Sequence, residues 1–159
     1  MIRKQLWSLL SIMALFLLCS CQKTTDVQDK EKVQVYTSMY PLADFSKKIG
    51  GAHVTVTNLV PPGSEPHDFE LSAKEMVKLS KANVLIYNGA GFEDWVEKAI
   101  KNLDPQKTHV VNTSEGLELA KRNGRIDPHI WLDLQMAKAQ ARAIRDAFVR
   151  VDTTHANDY

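Results

Sequence analysis

A chain of 159 residues is long enough for one domain with its own core and short for two. Its 20 basic and 19 acidic side chains nearly cancel, leaving a formal charge of +1, and no Lys/Arg run is interleaved with aromatics, so no nucleic-acid partner is expected. The only cysteines, Cys19 and Cys21, sit together behind an apolar run, which excludes a disulfide framework or thiolate metal cluster in the rest of the chain.

Arg3 and Lys4 precede an apolar stretch from Leu6 to Leu18, broken only by Ser8 and Ser11. The stretch falls short of the roughly 20 residues that span a bilayer and fits the apolar region of a secretory signal. Leu18-Cys19-Ser20-Cys21 then resembles a bacterial lipobox, with Cys21 as the lipid-modified residue because small Ser20 precedes it, whereas bulky Leu18 precedes Cys19. A plain signal peptide or a short anchor is the alternative. Residues 1–21 are read as signal and lipobox, and polar, aperiodic 22–32 as a flexible tether.

From Val33 the pattern becomes that of a folded body. Val33 to Ser38 predicts a strand. Pro41 opens a helix with Leu42, Phe45 and Ile49 at helical spacing, ended by Gly50-Gly51. His53 to Val60 alternates and is β-branched, a second strand. Residues 61–66, rich in proline, break regular structure. Ser72 with Glu75 reads as a capping box for a helix through Ser80. Asn83 to Tyr87 is a buried-strand candidate, Phe92 to Leu103 a helix with Trp95, Val96, Ala99 and Ile100 inward, and His109 to Asn112 a fourth strand. Residues 113–125 read as a loop with a short helical possibility at Leu117 to Lys121. Gln135 to Val151 is a strong helix former without a further sheet to pack on. Strand and helix alternate, so the expected fold is α/β: a parallel four-stranded sheet with helices on both faces, over residues 33–133. In such sheets ligands lie beyond the carboxyl ends of the strands.

Two of the five histidines fall in loops at those ends. His67 lies in Glu65-Pro66-His67-Asp68-Phe69-Glu70, and His129 in Asp127-Pro128-His129-Ile130-Trp131-Leu132-Asp133. Each follows a proline, which fixes backbone φ just before the ligand. Each has a carboxylate within two residues. Imidazole is a common zinc ligand, and a ligating imidazole usually donates its second N–H to a carboxylate or carbonyl. Asp68, Asp127 and Asp133 are candidates for that support, and Glu65 for tuning the site. On spacing alone the alternative stands: two loop histidines that cap turns. His53 and His109 read as ordinary strand-edge residues, and His155 as solvent-facing near a frayed end.

Gly89-Ala90-Gly91 matches only part of a dinucleotide fingerprint, since Asp94 occupies the third glycine position, and it reads more plainly as a tight turn. There is no Gly-x-Ser-x-Gly elbow, Walker loop or His-Glu-x-x-His motif, so no enzyme is expected.

The order of four stretches resembles the zinc-specific solute-binding lipoproteins of bacterial metal ABC importers. They are Thr37-Ser38-Met39-Tyr40-Pro41-Leu42, Val60 to Glu70, Asn83 to Glu93, and Asp127 to Asp133. The resemblance implies a two-lobed receptor with an α/β sheet in each lobe, one long connecting helix, and metal in the cleft between the lobes. It implies His67 and His129 as zinc ligands, further ligands from the second lobe, and Gln135 onward as the connecting helix. It also implies Zn2+ as cargo, a membrane permease as partner and a lipid-anchored extracytoplasmic location. Three departures follow. The chain stops at Tyr159, so the second lobe is expected to be missing (residues 134–159 only begin the helix). Ala120 to Ile126 lacks the histidine-rich loop of many zinc members. Leu134 stands where the family usually has proline. With two imidazoles and water, zinc affinity is expected to fall well below that of a closed site, and the helix to expose an apolar stripe meant for the second lobe. The rival readings are a manganese or iron receptor of the same fold, a secreted metal-dependent hydrolase with Glu65 as base, and an adhesin.

Overall fold

The computed structural model describes residues 32–159. The signal, the lipobox with Cys21 and nearly all of the tether lie outside those residues.

Four strands form one sheet: β1 (Val33–Thr37), β2 (Val54–Asn58), β3 (Val84–Tyr87) and β4 (His109–Asn112). The order is β2-β1-β3-β4 and every pairing is parallel, with Val33 opposite Val54, Val35 opposite Val84, and Val84 opposite His109. Strands buried on both faces need apolar residues at consecutive positions, and Val84, Leu85 and Ile86 are all fully buried.

Helices cover both faces, as the alternation predicted. On one face, Val35, Val84 and Ile86 pack with Leu42 of α1 (Tyr40–Gly50) and with Ile144 and Phe148 of α4 (Leu134–Val151). On the other, Leu85 packs with Leu79 of α2 (Ala73–Leu79) and with Val96 and Ala99 of α3 (Val96–Ile100). The capping box forms as expected: Glu75 N donates to Ser72 Oγ at 3.3 Å, and Ser72 N donates to Glu75 Oε2 at 2.8 Å.

Five expectations need correction. Helix α3 is five residues long, not twelve. Residues 89–91 all take positive φ (75°, 55° and 74°), and the Glu93 side chain turns back onto the N–H groups of Asn88 and Gly89, so the first turn is not helical. No helix forms at Leu117 to Lys121. The chain instead makes a hairpin of β5 (Lys121–Arg122) and β6 (Arg125–Ile126), turned by Asn123-Gly124 with both φ positive, the geometry that matches strand twist. His53 precedes β2, in a 3-10 turn over Gly51–His53. His155 is held rather than solvent-facing: its ring stacks on His53 at a centroid separation of 3.9 Å, and its Nδ1 lies 2.6 Å from Asp152 Oδ2, which also accepts from Tyr159 OH at 2.9 Å.

The fifth correction concerns α4. Its apolar stripe is not left for another lobe. Ile144, Ala147 and Phe148 are buried against this sheet, because the face that carries Val33, Val35 and Ile86 needs that cover, and Gln140, one turn before Ile144, is buried on the polar side chains of Asn88 and Thr113. The helix belongs to the same compact unit as the strands. Its exposed large apolar residues lie at its two ends, Leu134 at the start (85% exposed, beside Leu132 of the preceding turn) and Val151 at the finish (37%).

Candidate functional site

The two Pro-His loops leave the sheet at its carboxyl-end rim. After β2, Leu59 and Val60 pack into the core, and the proline-rich segment runs to a 3-10 turn over Pro66–Asp68 that carries His67. After β4, the hairpin returns the chain to Asp127-Pro128-His129, followed by a 3-10 turn over Ile130–Leu132. Proline at the start of the first turn presets the φ that the turn requires.

His129 is held firmly. Its Nδ1 lies 2.8 Å from Asp127 Oδ1, and its backbone N–H donates to the same oxygen at 3.1 Å. A carboxylate oxygen accepts only, so Nδ1 carries the proton and Nε2 carries the lone pair that a metal ion could take. His67 is held more loosely, with Nε2 at 4.0 Å from Glu65 Oε1 and the side chain 42% exposed.

A single aromatic ring stands between them. Phe92, 4% exposed, meets His67 edge-on at a centroid distance of 4.4 Å, His129 at 6.0 Å and Trp131 at 5.2 Å. Trp131 in turn lies 5.3 Å from His129. A cavity of about 370 Å³ opens beside this wall, lined by Met39, Val60, Pro62, Phe92, His129 and Trp131 among others. A second cavity, of about 510 Å³, lies between His129 and the hairpin residues Asn123, Arg125 and Ile126.

The other residues expected at the site have distinct placements. Glu65 lines the first cavity and faces His67. Asp68 closes the 3-10 turn through its backbone N–H to Glu65 O at 3.3 Å and is exposed. Asp133 caps α4, its Oδ1 accepting from Gln135 N at 2.8 Å and Met136 N at 3.0 Å. Among the described residues, no group of three or more His, Cys, Asp or Glu side chains is placed to hold a metal ion. The face offers two imidazoles, each with a carboxylate partner.

Phe92, Trp131 and Glu93 went unremarked in the sequence as site-building residues. Phe92 reads there as the start of an inward helix face. Glu93 is buried, and burial pushes its carboxyl above the ordinary range, opposed by hydrogen bonds from Ser38, Asn88 and Gly89 and by the charge of His67. An acidic residue two positions after a glycine turn was the available signal.

Residues 35–159 match the family described as ZnuA, zinc-uptake complex component A, periplasmic. The manganese-binding lipoprotein MntA of Halalkalibacterium halodurans is 33% identical over 142 residues, covering 89% of this chain and 47% of that protein. The iron ABC transporter substrate-binding lipoprotein MtsA of Streptococcus pyogenes is 29% identical, covering 94% of this chain and 52% of that protein. Among solved structures, the Zn(II)-bound ZnuA-like domain of Streptococcus pneumoniae AdcA superposes with a TM-score of 0.73 at 30% identity, over 80% of this chain and 47% of that one. The chain thus spans about half the length of the curated relatives it matches.

Proposed function

Because this chain belongs to the ZnuA family of periplasmic metal-uptake components, we propose that it is the N-terminal lobe of an extracytoplasmic, lipid-anchored receptor that captures a divalent metal ion and delivers it to an ABC importer permease. Catalysis plays no part in this reading. The carrying observation is the pair of Pro-His turns at one rim of the sheet, with both imidazoles against Phe92 and His129 fixed in the metal-accepting tautomer by Asp127.

Zinc is the cargo this donor set suits best. Imidazole is a good ligand for zinc, whereas carboxylate and water suit manganese. Two imidazoles leave the remaining positions of a tetrahedron to water or to donors from another lobe, so the chain on its own binds zinc weakly. The second reading, a manganese or iron receptor, is favoured by the names of the matched relatives and by the carboxylate beside each imidazole. Cys21 anchors the chain to the membrane in either case.

Calorimetric titration of zinc and of manganese into the full chain, with His67→Ala and His129→Ala alongside, tests the assignment. The expected result is weak zinc binding that both substitutions abolish, and that fades below about pH 6, where protons compete for imidazole. Manganese binding as tight as zinc binding would transfer the assignment to the second reading. Zinc binding indifferent to both substitutions would overturn both.

A further inference from the structure

Glu93 is buried, only 6% exposed, yet it carries a carboxylate. Three donors converge on it. Ser38 Oγ, just past β1, donates to Oε1 at 2.5 Å, Asn88 N to Oε1 at 2.8 Å, and Gly89 N to Oε2 at 3.0 Å. One side chain therefore ties together the carboxyl ends of the two central strands.

The connection continues toward the metal-binding face. The Asn88 side chain donates to Gly89 O at 3.1 Å and to Pro128 O at 2.9 Å, the residue before His129. Its Oδ1 accepts from Gln140 Nε2 of α4 at 3.0 Å, and the same Nε2 donates to Thr113 Oγ1 at 2.9 Å, just past β4. Phe92, the ring against which both imidazoles stand, is the residue directly before Glu93. A buried charge persists only where it is fully hydrogen-bonded, and the bonds it makes are strong and directional.

We propose that Glu93 is a positioning residue of the metal-binding face: its carboxylate gathers Ser38, Asn88 and Gly89 into one turn, and through Phe92 and the Asn88–Pro128 bond it sets where His67 and His129 stand without touching the ion. The metal role of that face rests on the function proposed above. The positioning role does not, and it has a metal-free readout.

Glu93→Gln keeps the shape but places an amide NH2 where N–H or O–H donors need an acceptor. In the metal-free full chain, the imidazole C–H resonances of His67 and His129 carry ring-current displacement from Phe92 and Trp131. His53 and His155, stacked on each other and remote in the fold from these loops, serve as internal controls. The expected result in Glu93→Gln is loss of the displacement at His67 and His129 with His53 and His155 unmoved, and zinc binding weakened about tenfold or more. Unmoved resonances at His67 and His129 would overturn the proposal. If all four collapse, the variant has unfolded, and Ser38→Ala, which keeps the carboxylate and deletes one donor, decides by the same comparison. Zinc binding indifferent to both His67→Ala and His129→Ala in the parent chain would sink the metal reading while leaving the resonance test of Glu93 intact.

Discussion

A methyl group added at Gly89 and, separately, at Gly91 weighs the turn that positions Phe92. Both residues have positive φ, 75° and 74°, a region that costs an L-residue about 1–2 kcal/mol. A Cβ at Gly91 meets nothing within 4 Å, so Gly91→Ala should cost about that and no more. A Cβ at Gly89 would overlap Asn112 Oδ1 and Ser114 Oγ and lie 2.7 Å from Asn112 Cγ. Asn112 cannot swing away freely, because its Oδ1 accepts from Ser114 N at 3.1 Å and Ser114 Oγ at 2.8 Å. Losing those two bonds, at about 1 kcal/mol each, adds to the backbone penalty and places Gly89→Ala near 3–4 kcal/mol. Urea unfolding followed by tryptophan fluorescence, read as a midpoint shift at constant slope, measures both variants. A Gly89→Ala no more costly than Gly91→Ala would refute the close approach between the β3–α3 turn and the end of β4.

Phe148→Ala should destabilise the chain by about 3–5 kcal/mol, because the ring is fully buried beneath α4, whereas Leu134→Ala at the exposed start of that helix should stay within about 0.5 kcal/mol; equal small effects in urea unfolding would mean that α4 does not cover the sheet. Asp127→Asn should weaken zinc binding about 10–100-fold, since the carboxylate fixes the His129 tautomer, and Asp68→Asn should leave it nearly unchanged, with calorimetry deciding between them. Burial, with Arg150 nearby, holds His109 below its ordinary value of 6.5, so the folded chain binds fewer protons than the unfolded one in the window between those values. The stability His109 contributes is therefore present above that ordinary value and lost as pH falls through the folded one. His109→Gln should flatten the dependence of unfolding free energy on pH just below about 6.5, and an unchanged slope counts against the burial argument.

Local signals carried most of the fold. The Ser72–Glu75 capping box, the β-branched runs of β1 and β2, the apolar run of β3 and the Pro-His turns all depend on neighbours within a few positions, and the sequence alone determines them. The Asn123-Gly124 hairpin was equally local; the missed cue was a turn dipeptide set between short strands. The length of α3, the partner of α4 and the placement of His155 were decided by tertiary structure. Nothing near Phe148 states that its ring will meet Val35 and Ile86, and nothing near His155 states that it will stack on His53, about a hundred positions away. The same holds for the supports of the candidate site. Ser38 and Glu93 are 55 positions apart, and Asn88 and Gln140 are 52 apart. A sequence shows that a polar residue is present, but whether it is solvated or buried and bonded depends on which distant segment closes over it. The two histidines were therefore legible as loop residues beside prolines and carboxylates, while the phenyl wall between them and the buried carboxylate behind it emerged only once the strands were side by side.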